Sequence, residues 1–527
     1  MSKSSMSRRS ESSTAPFRLT RRLPAARDTA DLGRELALFA RPGDWILLFG
    51  DLGAGKSALA RAFIRALAPG HGDFEVPSPT FTLIQPYDFT RIPVAHADLY
   101  RIGDPAEVDE LGLEEMARTH VLLVEWPGRL PETPAGRLEV HLDYDGEGRI
   151  ATLAGFGRWA DTLRRMEQIR AFLDTACGGK RLTRQYLQGD ASSRRYERII
   201  CEGAPEAILM DMPERPDGPP IENGRSYDEI AGLSRHIRAV EAINATLRAK
   251  GYCAPQTLSF DPDAGLMLQE FLAGEVFGRC YEKGNMQAPL RAAVELLADV
   301  ARRNWPARVT LPNGSVHVLR AYDQAAMEIE VRLLTGWFWP HFTGAPIPAA
   351  ALADYLRIWR DLLPHARRSP PVWVLRDFHS PNLIWRPAEE GFARIGLVDV
   401  QDTVMGPAAY DLASLLQDAR FPIPEKMESA MLEHYIGLRR ERERDFDARQ
   451  FELDYLLMGT QRACKVLGIF TRLNDRDGKP AYLSRIPHVA DYLRRNLTDP
   501  RLSALAQWFA RHLPRVMEPG GLKELVP

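Results

Sequence analysis

Two short stretches carry residue types at spacings suited to phosphate chemistry. The first, Gly50-Asp51-Leu52-Gly53-Ala54-Gly55-Lys56-Ser57, satisfies G-x-x-x-x-G-K-[ST] in full. The apolar run "DWILLFG" enters it and a helical pattern leaves it through Ser57 and Ala58, the strand and helix that such a loop requires. Glycines let the chain curl so that several N–H groups face phosphate oxygens, and the following helix adds its positive end. Lys56 is then expected on the β- and γ-phosphates of ATP, with the Ser57 hydroxyl as a ligand of Mg²⁺. The second stretch is "LRDFHSPNLIW" (Leu375 to Trp385), followed by "IGLVDVQD". Asp377 and Asn382 keep a D-x-x-x-x-N spacing, and Asp399 ends an apolar run. One carboxylate would accept the proton of an acceptor hydroxyl, while the amide and the second carboxylate hold Mg²⁺ against the β- and γ-phosphates. Leu375 stands where such sites usually carry His, and Asp411 is read as a brace for the loop.

A chain of 527 residues is too long for one core, so more than one domain is expected. A hydrophobic fraction of 45%, a charged fraction of 26% and a net charge of -2 give no global attraction to nucleic acid or to an anionic membrane. The five cysteines show no C-x-x-C and no pairing rhythm, which fits a reducing cytoplasm. No apolar run reaches the roughly 18 residues of a membrane span. Residues 1–16 are Ser-rich with Lys3, Arg8 and Arg9, and read as a disordered tail of a cytoplasmic protein.

The elements that must position these residues fall into two patterns. From 17 to 158 strands and helices alternate, with a hairpin around Asp145-Gly146, as in an α/β nucleoside-triphosphatase domain. Within it "DTADLGRELALFA" is an amphipathic helix with Asp28 or Thr29 placed to cap it, and "AEVDELGLEEMA" reads as one helix. From 165 to 520 a short β-rich lobe precedes long helical patterns, the layout of a bilobal, protein-kinase-like α+β phosphotransferase. In its first lobe "QGDASSRRYERI" is a turn between strands that offers Ser192, Ser193 and Arg194 or Arg195 to nucleotide phosphates. "MLQEFLAG", with Glu270, has the look of the hinge that holds adenine. The strand "EAILMDMPE" offers Met210 or Asp211 where a kinase normally carries lysine, leaving open which group supplies that charge. Aromatics of "WFWP" (Trp337 to Pro340) read as core packing or a sugar platform.

In order along the first domain come "DTADLGREL", "GDLGAGKS", "SPTFTLIQPY", "HADLYRI" and "LLVEWPGRL". Together they resemble the TsaE-type ATPase subunit of the bacterial tRNA threonylcarbamoyladenosine machinery. The resemblance implies ATP hydrolysis in complex with the other subunits of that machinery, with tRNA met only indirectly. It implies Asp98 as a Mg²⁺ ligand, Thr80 as a sensor of the γ-phosphate and Glu125 as the carboxylate that orients the attacking water. Trp126 would pack beside the nucleotide, and Thr29 is either a helix cap or an adenine contact.

The second domain resembles the aminoglycoside-phosphotransferase-like kinases. Within that group "GDASSRRY", "LRDFHSPNLIW" and "QRACKVLGIFTRL" are most similar to the anomeric N-acetylmuramate/N-acetylglucosamine kinases of cell-wall recycling. The resemblance implies an amino sugar as acceptor, with Asp377 as the base. Gln461, Arg462 and Lys465 put cations on a helix that would face an acidic acceptor such as a muramate lactyl group, or else form a solvated face. Two other readings of the second half are a non-catalytic docking module for the tRNA-modification partners and an aminoglycoside kinase.

Overall fold

Five consecutive apolar residues, Trp45–Phe49, form strand β2 of a sheet whose neighbours cover them on both sides, so the run needs no polar alternation. In this computed structural model, which describes residues 15–187 and 194–523, the chain divides into two units. One comprises Met1–Gln188 with Tyr196–Glu206, the other Gly189–Arg195 with Ala207–Pro527.

The first unit is built on a seven-stranded sheet. Its strands are β1 (Phe17–Leu23), β2, β3 (Ile84–Tyr87), β4 (Val94–Asp98), β5 (Val121–Glu125), β6 (Arg137–Asp145) and β7 (Gly148–Gly155). The order β1-β7-β6-β2-β5-β4-β3 places β2 at the centre, parallel to β5 and β6. The β6–β7 hairpin turns at Gly146, as its sequence suggests. Helix α1 (Ala26–Phe39) packs on α2 (Lys56–Ala66), which buries Leu59, Phe63 and Ile64.

The helix cap differs from the sequence expectation. The N-cap position is Ala25; Asp28 accepts the Ala25 N–H at 2.8 Å from inside the first turn, and Thr29 is buried with its methyl against Gly55. "AEVDELGLEEMA" is not one helix either, since Gly112 at φ 65 separates α3 (Ala106–Asp109) from α4 (Leu113–Met116). Helix α5 (Arg158–Ala176) leads to the antiparallel hairpin of β8 (Leu182–Leu187) and β9 (Arg195–Cys201). Arg184 on β8 bridges Glu197 at 2.7 Å and Glu35 on α1 at 2.9 Å, and Arg91 lies 3.9 Å over the Tyr186 ring.

In the second unit strand Leu266–Glu270 pairs antiparallel with both Ala207–Asp211 and Thr257–Asp261. The rest is mainly helical. The 28-residue helix Ala448–Asp475 is buried along most of its length and packs on Gln324–Leu333, where Asp323 caps the start by accepting the Ala326 N–H. Phe338 and Trp339 of "WFWP" are buried in this core. Among the described residues no helix is long and apolar enough to cross a membrane.

Gly33 sits where α1 meets α2, and a Cβ there would come within 2.6 Å of the Leu59 carbonyl oxygen. Inside an exposed helix Gly→Ala normally stabilises by about 1 kcal/mol. Here overpacking reverses the sign, and Gly33→Ala is expected to lower stability by about 1–3 kcal/mol, read from the urea transition of the full chain. A higher midpoint would contradict this contact.

Candidate functional site

The loop between β2 and α2 is held by its own geometry. Gly50 has φ 138, and a Cβ would lie 2.4 Å from the Leu142 carbonyl oxygen at the end of β6, so only glycine fits. Asp51, Leu52 and Gly53 are exposed at the mouth, Ala54 is buried, and the Ala54 N–H closes the turn on the Asp51 carbonyl at 3.1 Å. Ala58 lies in the first turn of α2 and is half-buried. The Lys56 ammonium donates to the Gly50 and Asp51 carbonyls at 2.7 and 2.9 Å, and lies 4.0 Å above the Trp126 ring. Burial lowers its pKa, against the pull of Glu125, Asp98 and Asp51.

Three parallel strands end together here. Asp98 closes β4 and Glu125 closes β5 in register beside it, both buried. The Ser57 hydroxyl donates to Glu125 at 2.9 Å, and the Ser78 hydroxyl donates to Asp98 at 2.7 Å. His96 joins through Nε2 to the other Glu125 oxygen at 2.9 Å. Ser57, Asp98 and Glu125 thus bring a hydroxyl and two carboxylates, all hard oxygen donors, to the strand ends beside the loop. Trp126 takes a left-handed backbone (φ 58), and Thr80 is half-buried in the adjoining turn. His96 and Ser78 were not singled out in the sequence; the His96–Glu125 pair depends on strand register.

The second unit assembles its acids from two loops that share strand ladders. Strand Val372–Val374 pairs with Val404–Gly406, and Leu383–Trp385 with Ile395–Leu397. Loop 375–382 and loop 398–403 are therefore bracketed by the same two ladders. Asn382 donates to the Asp377 carbonyl at 3.1 Å, and the Val398 N–H donates to the Asn382 carbonyl at 3.1 Å. Asp399 and Arg376 both adopt left-handed backbones, at φ 60 and 65, a conformation that needs surrounding structure to hold it. Burial and the neighbouring Asp402 and Asp399 carboxylates raise the pKa of Asp377.

That surrounding structure is explicit. Asp411 accepts the backbone N–H groups of Leu375 at 2.6 Å and Arg376 at 2.9 Å. Burial pushes the Asp411 carboxyl up to about 7 although those two donors favour its ionised form. The Arg376 guanidinium pairs with buried Glu330 and donates to the Ala231 carbonyl at 2.6 Å. Glu330 also receives Lys465 at 2.8 Å, Gln461 at 3.1 Å and the Tyr322 hydroxyl. Burial would raise the Glu330 pKa, but Lys465 and Arg376 bring it down to about 2.

Gln461 and Lys465 thus turn toward the chain's own Glu330, while Arg462 donates to the Gln417 carbonyl at 3.4 Å. Nothing in the sequence marks Glu330, which is one of two acids, with Glu328, on Gln324–Leu333. His379 is buried, and its pKa is lowered by that burial and by Arg420 and Arg462. Glu270 accepts the Gln256 N–H at 3.1 Å. Ser192 and Ser193 lie outside the described residues. Arg194 donates to Asp399 at 2.5 Å and to Asp402 at 3.2 Å. Among the described residues no group of three or more His, Cys, Asp and Glu side chains is disposed to hold a metal ion. The two oxygen sets combine acids with a hydroxyl in one case and an amide in the other.

Residues 183–446 match the model of the phosphotransferase enzyme family, and residues 23–151 match that of the threonylcarbamoyl adenosine biosynthesis protein TsaE. The chain belongs to the phosphotransferase enzyme family. It carries a TsaE-type domain ahead of the phosphotransferase domain, so the P-loop and protein-kinase-like folds stand in tandem. It is 36% identical over 358 residues to the N-acetylmuramate/N-acetylglucosamine kinase of Caulobacter vibrioides, covering 66% of this chain and 97% of that protein. Its identity to the kinase of the same name from Pseudomonas aeruginosa is 30%, covering 61% of this chain and 86% of that protein. The first domain is 39% identical over 99 residues to the tRNA threonylcarbamoyladenosine biosynthesis protein TsaE of Rickettsia felis, covering 19% of this chain and 57% of that protein.

Asp411→Asn leaves one of the two backbone donors without an acceptor, and kcat for phosphotransfer is expected to fall roughly tenfold or more. The native Asp411 carboxyl titrates near 7 and an unfolded one near 4. Between those values the folded chain holds the extra proton, so the stability from this group falls as pH rises. Urea midpoints should show the wild type losing stability relative to the variant between about pH 4 and 7; a relative gain would contradict the assignment.

Proposed function

We propose that this chain runs two ATP-dependent reactions. Residues 17–158 form an ATPase that supports threonylcarbamoyladenosine formation in tRNA together with the other subunits of that machinery. Residues 165–520 form a cytoplasmic kinase that phosphorylates an amino sugar, N-acetylmuramate or N-acetylglucosamine, at its anomeric hydroxyl for peptidoglycan recycling. The observation that carries the second reading is the assembly of Asp377, Asn382 and Asp399 from two loops bracketed by shared ladders. The likeness to the Caulobacter vibrioides kinase along nearly that protein's whole length supports the acceptor class.

In the kinase, Asp377 accepts the proton of the anomeric hydroxyl as that oxygen attacks the γ-phosphorus and the bond to the β–γ bridging oxygen breaks, releasing ADP. Its raised proton affinity suits the task. Asn382 and Asp399 would hold Mg²⁺, which supplies charge neutralisation on the phosphates. Arg194, with Ser192 and Ser193, serves the phosphates, and Glu270 marks the adenine hinge. Gln461 and Lys465 are taken up by Glu330, so of the three helix residues Arg462 is the one left to border the acceptor. In the ATPase, the loop amides from Gly50 to Ser57 and the ammonium of Lys56 hold the phosphates. Ser57 and Asp98 would hold Mg²⁺, Thr80 senses the γ-phosphate, and Glu125 orients water.

The test uses the full chain with ATP, Mg²⁺ and each sugar in turn. Asp377→Asn should cut sugar phosphorylation at least about 100-fold and spare sugar-independent hydrolysis, whereas Lys56→Ala should do the reverse. Loss of sugar phosphorylation in Lys56→Ala would instead indicate one enzyme gated by its first domain. Turnover of kanamycin but of neither sugar would make it an aminoglycoside kinase, and no acceptor turnover would leave a docking module.

A further inference from the structure

A kinase lobe normally places a lysine on its third strand, and here that strand, Ala207–Asp211, has none. Met210 is buried, and Asp211 is ion-paired to Arg195 at 2.8 Å, so Arg195 is committed to the neighbouring strand. Arg194 faces elsewhere. One guanidinium nitrogen lies 2.5 Å from Asp399 Oδ1 and the other 3.2 Å from Asp402 Oδ2. The Arg194 and Asp402 side chains are about nine-tenths buried, while Asp399 is partly open. Asp402 is fixed from behind, since it accepts the Ser234 N–H at 2.6 Å and the Gln401 side-chain amide at 3.5 Å. A charge-assisted fork of this kind is among the stronger hydrogen-bonded contacts in proteins.

The contact sets up a competition. Asp399 is the acid assigned above to Mg²⁺, and an oxygen that accepts a guanidinium N–H at 2.5 Å cannot also bind a divalent ion with the same lone pair. Both partners of the oxygen are cations, so they exclude one another by charge as well as by geometry. Phosphate oxygens, in turn, match the fork of a guanidinium as well as a carboxylate does. Arg194 immediately precedes strand Arg195–Cys201 of the opening lobe, and its fork reaches the loop that carries Asp399 and Asp402.

We propose that Arg194 is an exchangeable counter-ion: it neutralises Asp399 and Asp402, yields Asp399 to the divalent ion, and transfers its fork to the nucleotide phosphates in place of the missing strand lysine. The proposal rests on the assignment of Asp399 as the metal-binding acid. It makes one side chain oppose metal binding and favour nucleotide binding, so its removal should move the two affinities in opposite directions. A merely structural arginine would weaken both.

The test titrates Mn²⁺ into the nucleotide-free full chain, with free Mn²⁺ read by electron paramagnetic resonance. Arg194→Ala should bind Mn²⁺ more tightly by roughly tenfold, the worth of one charge-assisted hydrogen bond. The gain should vanish in the Arg194→Ala/Asp399→Asn double variant, and Arg194→Lys should fall between wild type and Ala. In the sugar assay KM for ATP should rise by roughly the same factor. Unchanged or weaker Mn²⁺ binding in both Arg194→Ala and Arg194→Gln would overturn the proposal. The Mn²⁺ arm needs no acceptor, so a failure of the amino-sugar assignment leaves it readable, and the double variant separates a wrong metal acid from a wrong arginine.

Discussion

The carboxylate of Glu330 is fully buried, and it is tolerable there because Arg376, Lys465, Tyr322 and Gln461 all turn toward it. Breaking one partner of such a buried pair typically costs about 3–5 kcal/mol, because the remaining charge is left without compensation. The arrangement fixes the side chain of Arg376 while Asp411 fixes its backbone N–H. A left-handed arginine next to the proposed base is thereby held from both ends, and Asp377 is aimed by what grips its neighbour. The charge balance matters as well. Two cations meet one anion at Glu330, and the surplus bears on Asp377, where Asp399 and Asp402 push the other way.

The two phosphate sites solve one problem with opposite materials. In the first unit the chain itself is the ligand set: curled amides and a helix end, with carboxylates arriving only at the ends of β4 and β5. Its ammonium is caged by two carbonyls and an indole face, so the loop already holds a cation where phosphate charge would enter. In the second unit the acids come first and the cation is an arginine from the opening lobe. Local sequence suffices for the first design; the second needs distant segments brought together.

That difference decides what was legible beforehand. Gly50 to Ser57 is contiguous, and a strand on one side and a helix on the other follow from adjacent residues. Asp377 and Asn382 were readable because their spacing lies within one short loop, and Asp399 because it ends an apolar run. Glu330 was not, since nothing in "QAAMEIEVRL" marks one acid as the partner of an arginine and a lysine far along the chain. Gln461 and Lys465 show the same limit: helical spacing gave their face but not that the facing anion belongs to this chain. His96 is invisible for a related reason, because only strand register brings it to Glu125. The short-range misses have local causes, with one glycine splitting α3 from α4 and a turn starting α1 at Ala26.

The division of the chain has a topological outcome. Tyr196–Glu206 groups with the first unit, while the chain from Ala207 groups with the second. The hairpin of β8 and β9 stays with the first unit, anchored through Arg184 to Glu35 of α1. The one-to-one ratio of the two domains is written into the covalent path itself, independent of promoter strength or selective degradation.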